Sequence, residues 1–547
     1  MPMNVDKMQT KLASWSQDQD FRFDDIYNLL YDEDWLRRAY SSVKSNSGAR
    51  TAGIDGQTMQ DFEEDLGENL DSLTKELKSQ SFDPKPVRRT YIPKGDEEER
   101  PLGIPTIKDR VVQEALRMVL EPIYETDFSD DSFGFRPNRS THDAIMSVRN
   151  SILPAGTYKP WVLDLDVKGY FDNVDHQNLE QIIQNRITDQ KMRDLIWKFL
   201  KAGIMEDGEY RHSMLGTPQG GIVSPLLANV YLNELDQWVK QWTDLTLREK
   251  TKRRNAGKGN WHYVRYADDF LLLTDGTKGK AEKMMRRVED FLDEELNLML
   301  SDEKSELNHA EDGFSFLGYD LKVKTESGGV QRTVPKEAQR DTASKIRKAT
   351  DGNTDVSIRA KMKAVDAVLR GWANYYKYAT DAGSVFHGIQ WKTWHMLTHW
   401  MAEKLKCSRN ELGRKLDSTD PISMNGVTMT KIAEMSAIRS KSHRRHDHPY
   451  LEGKNTGWES LPQENPWLAN KEERTGWSDA RWKTLERDNW TCQECGTNLE
   501  GRAAHVHHNK TYSGYQGPEE SNKQENLVSL CKRCHQQVEL NREYAHR

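Results

Sequence analysis

A chain of 547 residues is too long to fold around one hydrophobic core and should divide into several domains. Its formal net charge of −7 at pH 7 excludes the uniformly basic surface usual in polyanion binders, so any contact with a polyanion would have to come from local basic patches. No apolar run approaches membrane-spanning length and Met1 to Lys7 lacks a signal-peptide pattern, so a cytoplasmic protein with no membrane partner is expected.

Residues 1–80 carry helical runs such as Trp35 to Tyr40, followed by Gly53-Ile54-Asp55-Gly56. Tyr91-Ile92-Pro93-Lys94-Gly95 and Glu99-Arg100-Pro101-Leu102-Gly103 place Lys94 and Arg100 on a loop able to meet phosphates. Lys108 to Leu116 has the spacing of an amphipathic helix. Trp161 to Asp166 reads as a strand ending in acidic residues, and Asp172 and Asp175 beyond it as helix-start or turn residues. From Leu215 to Asn229 a turn-rich loop runs into a helix-like segment, and its glycines let backbone approach a ligand closely. Arg248 to Lys258 reads as a basic loop, either a solvated surface or a contact to a phosphate backbone.

In Tyr263 to Leu273 two strand-like apolar runs meet at Asp268-Asp269. A tight turn there presents an Asp pair at the sheet edge, where hard oxygen ligands suit Mg²⁺, although Asp is also common in turns for ordinary hydrogen-bonding reasons. With Asp166 from the upstream strand, three carboxylates converging on two Mg²⁺ ions is the chemistry of nucleotidyl transfer. Asp164 lies two residues before Asp166 and shares its strand face, so it is a structural neighbour unless the register exchanges the two. After the polar stretch 322–340, helical periodicity from Ile358 to Tyr376 puts Trp372, Tyr375 and Tyr376 on a buried face and leaves Arg370 for nucleic acid. Arg439 to His446 is a basic run in an otherwise polar segment.

Ser132-Phe133-Gly134-Phe135-Arg136-Pro137, Asp166-Val167-Lys168-Gly169-Tyr170-Phe171-Asp172, the Gly216 to Pro225 loop, Tyr266-Ala267-Asp268-Asp269 and Phe316-Leu317-Gly318-Tyr319 occur in one order. In that order they resemble the motifs of reverse transcriptases, specifically those of group II intron-encoded proteins. The resemblance implies a multidomain α+β chain. An RNA-binding N-terminal extension would occupy 1–80, and right-hand polymerase fingers and palm of mixed strands and helices 81–320. An α-helical thumb, the maturase or X domain, would follow over 321–403, then a DNA-binding region or linker over 404–475. It further implies that Asp166, Asp268 and Asp269 are the catalytic Mg²⁺ ligands, that Lys94 and Arg100 hold the triphosphate, and that Gln219 lines the nucleotide site. Phe171 stands at the steric gate, where a bulky ring excludes a ribose 2′-hydroxyl and so selects dNTPs.

Four of the five cysteines form Cys492-x-x-Cys495 and Cys531-x-x-Cys534, the spacing of a tetrahedral structural Zn²⁺ site rather than of a disulfide framework. With His507-His508 between the pairs, and Asn526 and His535 around the second, residues 476–547 resemble an HNH endonuclease of the ββα-metal fold. The resemblance makes His508 the general base, a role suited to imidazole near neutrality. His507 and His535 become ligands of a catalytic Mg²⁺ or Mn²⁺ ion, and Asn526 orients His508. Asn509 and Lys510 depart from the family pattern, and His505 is an alternative ligand that alternation places with His507. Cys407 stands alone and reads as a small buried hydrophobe.

The function these resemblances imply is a group II intron-encoded protein that copies RNA into DNA, assists splicing as a maturase and nicks target DNA to supply a primer. Its partners would be intron RNA, target DNA and dNTPs within a ribonucleoprotein. Two rivals are a reverse transcriptase of a retron or diversity-generating element, in which the nuclease segment would be unusual, and an RNA-binding maturase without activity. Intact Asp166, Asp268, Asp269 and Phe171 argue against the second. Acidic runs such as Asp96 to Glu99 and Asp293 to Glu295 fit a salt-adapted host, and an activity optimum confined to low ionic strength would count against that reading.

Overall fold

The structure is a computed structural model that describes residues 4–46, 48–94, 98–152, 158–206, 209–211, 215–216, 220–324, 329–351, 355–437, 448–451, 483–497, 499, 504–508, 523–531 and 534. It divides into two units, 1–454 and 455–547.

The first unit opens with helices α1 (Val5–Ser16), α2 (Glu33–Ser45), α3 (Met59–Glu64) and α4 (Leu66–Lys78). Strands β1 (Val87–Lys94) and β2 (Glu98–Ile104) form an antiparallel ribbon, extended through a parallel pairing of β1 with β4 (Ile204–Glu206) and then by β5 (Glu209–Arg211). Helix α5 (Ile107–Tyr124) differs from the expected amphipathic pattern, for it is buried on nearly every side. The N-terminal helices cover the face that its polar residues mark as outward. Trp35 Nε1 donates to the Ala115 carbonyl at 3.0 Å, and Arg110 reaches the carbonyls of Gly48 and Thr51 at 3.1 and 2.6 Å. Buried polar groups persist there because each finds a partner.

After α6 (Thr141–Ile152), strand β3 (Trp161–Asp166) enters a four-stranded antiparallel sheet of order β6-β7-β3-β8, formed with β6 (Trp261–Tyr266), β7 (Asp269–Thr274) and β8 (Glu306–His309). The short α7 (Tyr170–Asn173), then α8 (His176–Gln184), α9 (Gln190–Lys201), α10 (Ser224–Thr243) and α12 (Lys278–Leu296) contribute buried residues to the same core. Asp175 N-caps α8 by accepting from Gln177 and Asn178, as a helix-start residue should. The basic stretch expected as a loop is instead α11 (Leu247–Asn255), with no buried residue. Its reciprocal Thr246–Glu249 capping box nucleates the turn, and lysine and arginine propagate a helix well.

A second core joins one face of the β6-β7-β3-β8 sheet to a three-stranded sheet of β9 (Phe314–Phe316), β10 (Tyr319–Lys324) and β11 (Gly329–Thr333), and to α13 (Lys336–Thr350), α14 (Ile358–Tyr376) and α15 (Ala382–Lys404). It continues through α16 (Arg409–Lys415), the meander β12 (Ser418–Thr419), β13 (Ile422–Met424) and β14 (Val427–Thr428), and Ile432. Met362, Val365, Leu369, Ala373 and Tyr376 line the buried face of α14, with Trp372 and Tyr375 packed against it. Arg370 is exposed and pairs with Asp366 at 3.0 Å. Cys407 is half-buried against this core rather than fully enclosed. Arg439 to His446 lies outside the described residues, while Tyr450 bonds Glu121 of α5.

In the second unit, β15 (Ala504–His508) and β16 (Leu527–Cys531) form an antiparallel pair beside the cysteines. Among the described residues no helix is long and apolar enough to cross a membrane.

Candidate functional site

Strand register brings the predicted carboxylates together. Asp166, the last residue of β3, stands opposite Asp269, the first of β7, and Tyr266 of β6 pairs with the same Asp269, leaving Ala267 and Asp268 as the turn. Asp164 sits two residues farther from that turn, opposite Leu271 on one side and Glu306 of β8 on the other. Burial raises its carboxyl to about 7, with Glu306 and Asp166 adding to the effect. Asp269 is pushed up to about 8, first by burial and then by Asp164, Asp166 and Asp268, against the opposing charge of Lys304. Carboxyls that raise one another in this way favour a positive charge among them, and their oxygens are the hard donors that suit a divalent cation.

Lys304 and Glu306 are absent from the sequence reading. Lys304 Nζ lies 2.9 Å from Asp166 Oδ2, and the chain carrying it is tied to the end of β3: Ser301 N–H donates to the Asp166 carbonyl at 2.8 Å and Lys168 N–H to that of Met299 at 2.9 Å. Nothing local in the sequence marks this long-range pairing.

The Asp268 turn is held from behind by a fully enclosed ion pair. Arg265, flanked by apolar neighbours on β6, forks onto Asp236 of α10 at 2.7 and 2.6 Å, and both side chains are wholly buried. Tyr263 donates to the same Asp236 at 2.8 Å. The remaining Arg265 nitrogen donates to Asn229 Oδ1 at 3.0 Å and to the carbonyl of Ala267 at 2.9 Å, inside the Asp268 turn. Asn229 donates in turn to the Gly134 carbonyl at 2.8 Å, and a Cβ on Gly134 would collide with the backbone nitrogen of Ala267. A charged residue inside an apolar strand was the available signal for this network.

Lys94 and Arg100 lie on β1 and β2 rather than on a free loop, with Arg100 opposite Ile92 and Lys94 opposite Glu98. The sequence shows the Pro and Gly breakers, but it does not show that the segments on either side pair as a ribbon. Gln219 lies outside the described residues. Phe171, half-buried on α7, packs edge-to-face on Phe135 with ring centroids 6.1 Å apart. Gly216 has a φ of +89°, and a Cβ there would stand 2.8 Å from the Phe171 carbonyl and the Asp172 backbone. The close approach there is to the protein's own α7 backbone, whereas the sequence pointed to a ligand.

In the second unit the ligand atoms of Cys492, Cys495, Cys531 and Cys534 all lie within 4.8 Å of one another, with Cys495 and Cys531 sulfurs 3.8 Å apart. Zinc–sulfur bonds of about 2.3 Å in a tetrahedron set the sulfurs about 3.8 Å apart, so the donor set fits Zn²⁺. His507 and His508 are consecutive on β15, opposite Val528 and Leu527. Asn526 is buried immediately before β16. His535 lies outside the described residues.

Three regions match families in the same order: reverse transcriptase (RNA-dependent DNA polymerase) over 92–321, the group II intron maturase-specific domain over 340–416, and HNH endonuclease over 492–539. Protein YkfC of Escherichia coli K12 is 38% identical over 368 residues, 63% of this chain and 96% of the relative. Group II intron-encoded protein LtrA of Lactococcus lactis is 37% identical over 358 residues, 57% of this chain and 58% of the relative. A putative COX1/OXI3 intron 2 protein of Saccharomyces cerevisiae is 32% identical over 54% of this chain and 39% of the relative. The chain belongs to the group II intron-encoded proteins. It is a multifunctional member, with RNA-directed DNA polymerase, maturase and endonuclease regions, and its substrates are intron RNA and other nucleic acid.

Proposed function

We propose that Asp166, Asp268 and Asp269 hold two Mg²⁺ ions and support RNA-templated DNA synthesis from dNTPs. The observation that carries this reading is the register of Asp166 opposite Asp269, with Asp268 in the adjoining turn. When bound, the ions would activate a primer 3′-hydroxyl and neutralise charge on the triphosphate. Arg265 fixes the turn that carries two of the three ligands. Lys94 and Arg100 hold the triphosphate, Gln219 lines the nucleotide site, and Phe171 excludes the ribose 2′-hydroxyl.

In the second unit, Cys492, Cys495, Cys531 and Cys534 hold a structural Zn²⁺. His508 serves as general base, His507 and His535 hold Mg²⁺ or Mn²⁺, and Asn526 orients His508. This nuclease nicks target DNA, giving the polymerase its 3′-hydroxyl during intron retrohoming. Residues 1–80 bind intron RNA, 81–320 are fingers and palm, 321–403 the thumb, 404–475 a DNA-binding region and 476–547 the nuclease. The protein works in the cytoplasm within a ribonucleoprotein.

Primer extension on an RNA template with Mg²⁺ and dNTPs tests the reading, comparing the unaltered chain with Asp268→Ala and Asp269→Ala. Loss of cDNA with either substitution is the expected result. An unaltered chain that stays inactive with its intron RNA supplied would overturn it.

A further inference from the structure

Phe135 is held in an unfavourable place by neighbours that are themselves fixed. Phe133 is buried, and its N–H donates to the Arg265 carbonyl at 2.8 Å. Gly134 is pressed against the catalytic turn and its carbonyl is taken by Asn229. On the other side Arg136 is buried and forks onto Glu125, with bonds of 3.1 and 2.7 Å, while also donating to the Ser132 carbonyl at 2.8 Å. Between these anchors Phe135 has a φ of +55°, a left-handed conformation that costs a bulky side chain and favours glycine or asparagine.

Burial does not offset that cost, because Phe135 is 52% exposed. Its ring meets Phe171 almost perpendicularly, at 85°. Phe171 is backed from another side by Tyr170, with centroids 5.5 Å apart, and its carbonyl is crowded by Gly216. A strained, half-exposed aromatic touching the gate ring and anchored to the metal-binding turn is the pattern of a residue kept for a site rather than for the core.

We propose that Phe135 is the second ring of the sugar gate, a specificity-determining residue that holds Phe171 against the ribose edge and so sharpens discrimination between dNTPs and rNTPs. This rests on the reading of Phe171 as the gate. Without its edge-to-face partner the Phe171 ring can turn aside, opening room for a 2′-hydroxyl while leaving the carboxylates in place.

Single-nucleotide primer extension tests this by comparing kcat/KM for a dNTP with that for the matching rNTP. Phe135→Ala should reduce the dNTP preference about three- to tenfold, the range an edge-to-face aromatic pair supplies, with dNTP kcat changed less than threefold. Phe135→Tyr keeps the ring and should retain the preference. Phe135→Gly relieves the backbone, so it should hold or raise Tm while losing the preference equally, which separates gating from folding. The doubly substituted Phe135→Ala/Phe171→Ala chain should be no less selective than Phe171→Ala alone, because Phe135 acts through Phe171. If Phe171→Ala collapses the preference while Phe135→Ala and Phe135→Gly leave it within twofold, this proposal fails and the gate stands. If Phe171→Ala also leaves it unchanged, the gate reading itself fails.

Discussion

At the scale of single residues, Arg265 shows how a buried charge serves a site it never touches. Taking a guanidinium and a carboxylate out of water is costly, and the Arg265–Asp236 pair is tolerable because every donor finds an acceptor. One of those acceptors is the carbonyl of Ala267, whose φ of +59° makes the turn tight enough to present Asp268 and Asp269 together. Lysine at this position keeps the charge but cannot reach three partners from one planar fork. Arg265→Lys should therefore lower kcat at least tenfold while dNTP KM stays within about threefold, as steady-state primer extension would reveal; a KM effect alone would place its role in substrate binding instead. Asp236→Ala leaves the guanidinium buried and unpaired and should destabilise the palm by about 3–5 kcal/mol, seen as a lower unfolding midpoint.

At the scale of elements, the proposed active site is a contact between two turns. Gly134 lies so close to Ala267 that any Cβ must displace the Asp268 turn. Gly134→Ala should cut primer-extension activity about a hundredfold, a loss typical of roughly 1 Å misplacement, with circular dichroism unchanged; near-normal activity would mean the turn can yield without harm. Helix α5 carries a separate, pH-readable prediction. Asp109 is buried at its first turn, and burial raises its carboxyl to about 6 despite the Thr106 and Lys85 donors. A carboxyl raised above its unfolded value near 3.8 keeps its full stabilising contribution below about pH 4 and loses it as pH rises through 6. Asp109→Asn removes that titration. Its unfolding midpoint relative to the unaltered chain should climb between pH 4 and pH 7.5, by the equivalent of about 3 kcal/mol at most; a constant difference would mean the folded carboxyl titrates normally. The same elements explain what sequence makes visible. The Asp268 turn and the acidic end of β3 were legible because short, strand-like apolar runs flank them. The encasement of α5 was not, because periodicity records polarity and cannot announce that residues 48 and 51 will supply carbonyls to Arg110. Lys304 and Glu306 escaped for a related reason: Glu306 reaches the site through the pairing of β8 with β3, and Lys304 through the backbone bonds that tie Met299 and Ser301 to the end of β3.

At the scale of the whole molecule, the two units differ in what holds them together. The first has two extensive apolar cores, whereas the described core of the second comprises Leu485, Cys492, Leu499, Val506, Leu527, Leu530 and Cys534. So few buried side chains bring little apolar area out of water, and two of them are cysteines of the metal-ligating set. In such small domains metal binding is itself folding free energy, with apparent values of about 10–16 kcal/mol for structural zinc. Cys531→Ser should therefore abolish stoichiometric zinc by elemental analysis, remove hydrogen-exchange protection from Leu527 to Leu530, and eliminate nicking. Primer extension should stay within about twofold of normal, since the polymerase carboxylates belong to a unit with cores of its own. Protection of β16 that survived zinc loss would show that the apolar core suffices without metal. A parallel collapse of primer extension would show that the polymerase depends on the folded nuclease unit, and the division of labour between the two would have to be abandoned.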